Sequence, residues 1–224
     1  MSRPITKLDP SPLTPLAHRL ARLIIPRLPG WVTPNQITLG GLVCNLIGCS
    51  AFLLAGYHRA WFLLAILCLV LNWVADNLDG ELARARQLTS ERGFYLDLVT
   101  DQLGVAIIGL GIAFASYTNT VLMLCCLLSY PLMSFLTLMH IVMRQRFPLG
   151  RLSPAEGRLG LIILAALTMA FPGPLLTFVG QPLGWFDLAL PIALLPAIAE
   201  KTADAVALYR ELAPPAGPPG AERA

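Results

Sequence analysis

Apolar residues dominate six stretches of this chain, near 36–57, 60–80, 93–116, 119–143, 157–172 and 184–207, and polar punctuation separates them. As helices, each is about long enough for a hydrocarbon core of ~30 Å, the fifth being marginal. The breaks are YHRA, the charged stretch 81–92, SYTN, RQRFPLGRLSPAE and FPGPLLTFVGQPLG, all rich in turn-forming or charged residues. Thr33-Pro34 supplies a cap and first-turn pair for the first span, because proline at that position forfeits only an N–H that would be unpaired anyway.

Ahead of these stretches the period changes. Leu16, Ala17, Leu20, Ile24 and Leu28 fall on one side of a helix and His18, Arg19 and Arg22 on another, with Thr14-Pro15 at its start and Pro26 as a kink or end. A basic polar face opposite an apolar one suits a helix lying on anionic lipid, and an ordinary solvated amphipathic helix is the alternative. The expected architecture is all-α: an integral membrane bundle of six transmembrane helices preceded by an N-terminal amphipathic interfacial helix. It divides into a flexible segment 1–13, a juxtamembrane helix 14–30, a six-helix domain 31–208 and a disordered tail 209–224. The polar, proline-rich start has no apolar h-region, so no secretory signal is expected.

Composition agrees. Of 224 residues, 56% are hydrophobic and 13% charged, too apolar for an ordinary soluble domain. The five cysteines lie inside apolar runs without C-x-x-C spacing and read as small buried hydrophobes, not a disulfide framework. A net charge of +3 gives no reason to expect nucleic acid. Its distribution is more telling: Arg84, Arg86 and Arg92 share one break, Arg144, Arg146, Arg151 and Arg158 another, and the alternate loops carry only Arg59. By the positive-inside rule both termini and the 81–92 break face the cytoplasm.

The candidate chemistry lies in DNLDGELARARQLTSERGFYLDLVTD, residues 76–101. On a helix Asp76 and Asp79 share a face that Gly80 and Ala83 continue, and Gly93, Asp97 and Asp101 form one stripe of the next helix. Four carboxylates turned toward each other beside a membrane would each cost several kcal/mol through desolvation and repulsion, and a divalent cation is the natural remedy. All-oxygen ligation without nearby His or Cys favours Mg²⁺, Mn²⁺ or Ca²⁺ over zinc. Gly80 and Gly93 leave room for a polyphosphate to approach the backbone. Glu81 and Glu91 read as solvated loop charges, and Glu200 with Lys201 as an interfacial pair.

These residues resemble the signature of the CDP-alcohol phosphotransferase family, D-x-x-D-G-x-x-A-R-x8-G-x-x-x-D-x-x-x-D, at all its fixed positions: Asp76, Asp79, Gly80, Ala83, Arg84, Gly93, Asp97 and Asp101. The motif covers 26 residues, and TPNQIT, the six-segment plan and a later Arg extend the likeness over most of the chain. The resemblance implies transfer of a substituted phosphate from a CDP-linked donor to an alcohol with release of CMP, dependent on Mg²⁺ or Mn²⁺, with two ions expected. It implies that Asp76, Asp79, Asp97 and Asp101 ligate metal, that Asp101 also takes the proton of the attacking hydroxyl, and that Arg84 meets the donor. It places Asn35, Thr38 and Ser90 at the nucleotide, with capping or helix packing as the plainer role of each. A homodimer, and a groove open to the lipid bilayer, are also implied.

The acceptor is less legible. Family members that use phosphorylated acceptors tend to carry K-x-R-A-E late in the fourth span, where this chain has Thr137 and Met139 with His140 alongside, although Arg158 resembles the basic residue opening their fifth span. Arg158 and His140 are therefore the candidate acceptor residues, with a phosphorylated, an uncharged or zwitterionic, or a lipid alcohol all open. The eukaryotic choline and ethanolamine phosphotransferases carry His after the third Asp where this chain has Leu98, which puts CDP-diacylglycerol ahead of a small CDP-alcohol as donor. A cation channel or transporter lined by the acids, and an inactive nucleotide-binding scaffold, are the readings from other classes.

Overall fold

The computed structural model describes residues 14–144 and 154–212; the expectations for 1–13, for 145–153 and for the tail from 213 fall outside them. Seven α-helices make up most of it: α1 Thr14–Ile24, α2 Pro34–Ala55, α3 Trp61–Ala85, α4 Glu91–Ala113, α5 Thr120–Arg144, α6 Pro154–Ala170 and α7 Trp185–Leu212. At the start of α2, Thr33 Oγ1 accepts from Gln36 N (3.4 Å) while Gln36 Oε1 accepts from Thr33 N (2.8 Å), the reciprocal box that satisfies two orphan N–H groups.

Among the described residues four helices are long and apolar enough to cross a membrane: α2, α3, α4 and α5 to Met143. That is fewer than the expected six. Helix α6 has 17 residues, about 25 Å at 1.5 Å per residue, and α7 carries Asp187, Glu200, Lys201 and Asp204 along its length. Elsewhere the bounds move for local reasons. Helix α1 stops at Ile24 and gives way to a 3₁₀ turn, Ile25–Arg27, built around Pro26. Helix α3 runs through Glu81–Ala85, read above as part of a charged break, because Glu, Leu, Ala and Arg are all good helix formers. Helix α7 likewise continues to Leu212, past the expected start of the tail.

One departure from all-α stands out. Leu176–Phe178 pairs antiparallel with Gln181–Leu183, and Val179 and Gly180 at the tip both take positive φ, 48° and 75°, as a tight two-residue hairpin turn requires. The sequence lacks the Asn-Gly or Asp-Gly signal that usually announces such a turn.

Helix α2 packs on both α3 and α4, α6 lies on α3, α5 on α4, α7 on α5 and α6, and α1 on α3. Close approach of α2 and α4 depends on small residues: a Cβ on Gly111 would lie 2.8 Å from Cys49 Cα, and one on Gly104 2.2 Å from Asn45 Nδ2. The buried apolar core gathers at one end of the bundle, from the C-terminal halves of α2 and α4 and the N-terminal parts of α3, α5 and α7: Ala51, Phe52, Phe62, Leu69, Ile112, Met123 and Phe186. Tyr117 joins the rings there, 5.0 Å from Phe62 and 6.0 Å from Phe186, and its hydroxyl donates to Phe52 O. Asp187 is buried beside them and accepts from Asn119 N (2.7 Å) and Gly184 N (2.9 Å), tying the α4–α5 turn to the start of α7.

Candidate active site

The opposite end of the bundle holds the acids. Asp76 and Asp79 lie in the second half of α3, Asp97 and Asp101 in the first half of α4. Ser90 fixes where α4 begins: its Oγ accepts from Gly93 N at 3.0 Å, so Ser90 is the N-cap of this helix. The end of α3 is set by Ala83, whose carbonyl accepts from Leu88 N (2.8 Å) across Gln87 at φ 56°.

Oxygens of Asp76, Asp97 and Asp101 all lie within 4.8 Å of one another, each residue half-buried. Such a cluster demands positive charge. Arg158 reaches it from α6, with its side chain only 14% exposed: Nη1 donates to Asp76 Oδ2 at 2.5 Å and Nη2 to Asp101 Oδ1 at 3.2 Å. One guanidinium thus bridges α3 and α4. Three hard oxygen donors converging at this spacing also fit a divalent ion such as Mg²⁺ or Mn²⁺.

Asp79 stands outside that trio. It is buried and turned toward α2, where Thr38 Oγ1 donates to its Oδ2 at 2.5 Å, and Gly80 N donates to its Oδ1 at 2.6 Å. Asn35, one turn before Thr38, comes up to the start of α4: a Cβ on Gly93 would lie 3.5 Å from Asn35 Oδ1 and 3.1 Å from Ser90 Oγ. Asn35, Thr38, Asp79, Gly80, Ser90 and Gly93 therefore form one continuous surface where α2, α3 and α4 meet.

Arg84 folds back over Gly80, its Nη1 3.6 Å from where a Gly80 Cβ would sit. Glu81 is no solvated loop charge. It lies on α3, where its Oε1 accepts from Arg84 Nη2 (2.8 Å) and pairs with His18 Nδ1 of α1 (2.9 Å). The Glu81 and Arg84 spacing was a legible signal once the helix was carried to Ala85. Arg86 gave no such signal, because its role depends on tertiary approach: it donates to the carbonyls of Val32 (2.6 Å), Leu28 (3.0 Å), Pro29 (3.2 Å) and Gly30 (3.4 Å). That clamp ties the turn ahead of α2 to the end of α3.

The two candidate acceptor residues are not brought together. His140 lines a separate cavity of about 240 Å³ between α5 and α7, with Thr137, Met139, Lys201, Asp204 and Tyr209, and Arg158 is not among its walls. Lys201 pairs with Asp204 at 3.7 Å, one turn on, and not with adjacent Glu200, since neighbours in a helix point apart.

Comparison with known proteins adds to this geometry. A family model described as CDP-alcohol phosphatidyltransferase matches residues 31–193. The inner membrane protein YnjF of Escherichia coli is 36% identical over 104 residues, 46% of this chain and 46% of that protein. Archaetidylinositol phosphate synthase of Pyrococcus horikoshii is 38% identical over 82 residues, 37% of this chain and 41% of that one. The matched stretches thus span less than half the length of these curated relatives. Among solved structures, the Mycobacterium tuberculosis phosphatidylinositol phosphate synthase PgsA1 with CDP-DAG bound shares the fold at a TM-score of 0.57 and 18% identity, over 89% of this chain and 92% of that one. Its complex with manganese and citrate gives a TM-score of 0.60 at 18% identity, over 86% and 88%.

Proposed function

From membership of the CDP-alcohol phosphatidyltransferase family, to which this chain belongs, we propose that it transfers a phosphatidyl group from CDP-diacylglycerol to an alcohol and releases CMP. The observation that carries the proposal is the convergence of Asp76, Asp97 and Asp101, with Asp79, Thr38 and the glycines Gly80 and Gly93 alongside. Asp76, Asp79, Asp97 and Asp101 would hold two Mg²⁺ or Mn²⁺ ions, whose charge would offset that of the pyrophosphate and of the departing CMP. Asn35, Thr38 and Ser90 line the nucleotide side. Arg84, beside Gly80, meets a donor phosphate through charge-assisted hydrogen bonds.

The acceptor oxygen attacks the phosphorus that bears diacylglycerol, the P–O bond to CMP breaks, and the bonding pair leaves with CMP. Asp101 accepts the hydroxyl proton. Arg158, bonded to Asp76 and Asp101, is the cation nearest the point of attack and is placed to meet an anionic acceptor, whereas the cavity lined by Thr137, His140 and Lys201 offers a mostly apolar approach. We place the acid-lined end at the cytoplasmic face, α1 on the membrane surface, α6 and α7 across the bilayer as the fifth and sixth spans, and two copies in the functional unit.

Purified protein with Mg²⁺ or Mn²⁺, labelled CDP-diacylglycerol and a panel of acceptors (serine, inositol, inositol phosphate, glycerol phosphate, choline, phosphatidylglycerol) should release CMP and form one new lipid, and Asp101→Asn should form none. Product from CDP-choline and diacylglycerol, with none from CDP-diacylglycerol, would reverse the donor assignment. Metal-dependent ion flux without CMP would replace the enzyme with a cation pathway.

A further inference from the structure

Arg84 rests its guanidinium over Gly80, a residue of the family motif, and is gripped by Glu81, a residue outside it. Its side chain is 63% exposed, and a long exposed arginine left to itself samples many rotamers. Here one orientation is selected, though the side chain stays open to water. It lies back along α3 over Gly80, with its Nη1, Nη2 and Cζ all 3.6–4.0 Å from the position of a Gly80 Cβ. The absence of a side chain at Gly80 provides the seat, and Glu81 provides the grip through its 2.8 Å bond to Nη2. Because one guanidinium carries five N–H donors, this bond leaves Nη1 and Nε to meet a ligand.

Glu81 is itself held from the other side. His18 Nδ1 of α1 lies 2.9 Å from the same Oε1, and α1 is packed on α3 through buried Ala17 and Ala21 against the stretch that contains Trp73, Asn77 and Leu78. The line His18, Glu81, Arg84, Gly80 therefore runs from the first helix to the residue after Asp79. Glu81 is not a member of the cluster formed by Asp76, Asp97 and Asp101; its ion pairs are with His18 and Arg84.

We propose that Glu81, steadied by His18, is a positioning residue that aims the Arg84 guanidinium over Gly80 for the donor's phosphates, so that the seating of α1 is read directly at the donor site. The inference rests on the reading of Arg84 as a donor ligand. Its energetic logic is preorganisation: the Arg84 rotamer is selected before the donor arrives, so less of the binding free energy is spent on ordering it.

A double-mutant cycle tests this with CDP-diacylglycerol as the probe, reading KM for donor, kcat and the thermal midpoint of the purified full chain. Glu81→Ala should raise the donor KM about five- to tenfold, the size expected for a lost charge-assisted contact, with kcat within about twofold. The thermal midpoint should stay within about 2 °C, since exposed pairs add little stability. Glu81→Gln, which keeps an acceptor oxygen, should recover part of the loss, and His18→Ala should show a smaller rise in KM. In an Arg84→Ala background Glu81→Ala should have no further effect, because it acts only through Arg84. If the two losses multiply, or if Glu81→Ala leaves the donor KM unchanged while Arg84→Ala raises it, the positioning role is overturned. If Arg84→Ala itself leaves donor KM and kcat unchanged, it is the donor-ligand assignment that fails.

Discussion

The two ends of this bundle each bury an aspartate, and they do so for opposite purposes. Asp187, 2% exposed, sits among Phe52, Phe62, Tyr117 and Phe186 with both oxygens taken by backbone N–H groups. That charge is structural, because its two bonds join the α4–α5 turn to the start of α7. Asp79, 5% exposed, meets one hydroxyl and its neighbour's N–H, beside three more carboxylates, two of which, Asp76 and Asp101, are bridged by Arg158. Aromatic packing at one end secures the helices, and the acids at the other are held in a geometry they would not choose for themselves.

That contrast can be broken at either end. The largest effect is expected from Asp101→Asn, which removes the proton acceptor and should lower CMP release by about 10²–10⁴-fold. Its thermal midpoint should be unchanged or slightly higher, because one negative charge leaves a crowded group. Phe52→Ala should do the reverse. It is fully buried and meets Phe62 at 6.3 Å and Phe186 at 6.1 Å, so the cavity should cost about 3–5 kcal/mol of stability, read as a fall in thermal midpoint, while donor KM in the folded fraction stays the same.

Smaller effects sharpen the comparison. Asp187→Ala leaves the N–H groups of Asn119 and Gly184 without their acceptor and should cost about 1–3 kcal/mol for each, again without a change in donor KM. Arg158→Gln should depend on metal. In chelator it leaves Asp76 and Asp101 without their bridge and should cost about 1–2 kcal/mol, less than a fully buried pair because Asp101 is 33% exposed. With Mn²⁺ present the loss should shrink, since the ions take over the neutralisation. An equal loss in both conditions would mean that Arg158 is a packing residue.

How much of this was legible depended on whether a residue's role is local. Thr33-Pro34, Ser90 at the head of α4 and the i, i+3 and i, i+4 spacing of the aspartates are set by the neighbouring few residues, and the helices obey them. Helix ends were misjudged where charge was taken for a break: Glu81–Ala85 is charged and helical at once, because propensity and polarity are separate properties. The hairpin at 176–183 was missed because Val-Gly is an unusual pair for positive φ at two successive positions. Arg86, Asp187 and the docking of His18 on Glu81 were invisible for a different reason. Each joins segments far apart in the chain, and no periodicity encodes which distant carbonyl or carboxylate a side chain will find. Arg158 reads from the sequence as an acceptor residue, and its pairing with Asp76 and Asp101, which joins segments far apart in the chain, is of the same kind.

The central claim is that the carboxylates of α3 and α4 jointly grip divalent metal and, through it, the nucleotide diphosphate. Its most direct test is Mn²⁺ binding followed by electron paramagnetic resonance in wild-type protein and in Asp97→Asn, each with and without CDP-diacylglycerol. The account predicts that wild type takes up Mn²⁺, that the donor tightens this uptake, and that Asp97→Asn weakens both. Equal Mn²⁺ uptake by the two proteins, indifferent to the donor, would contradict it.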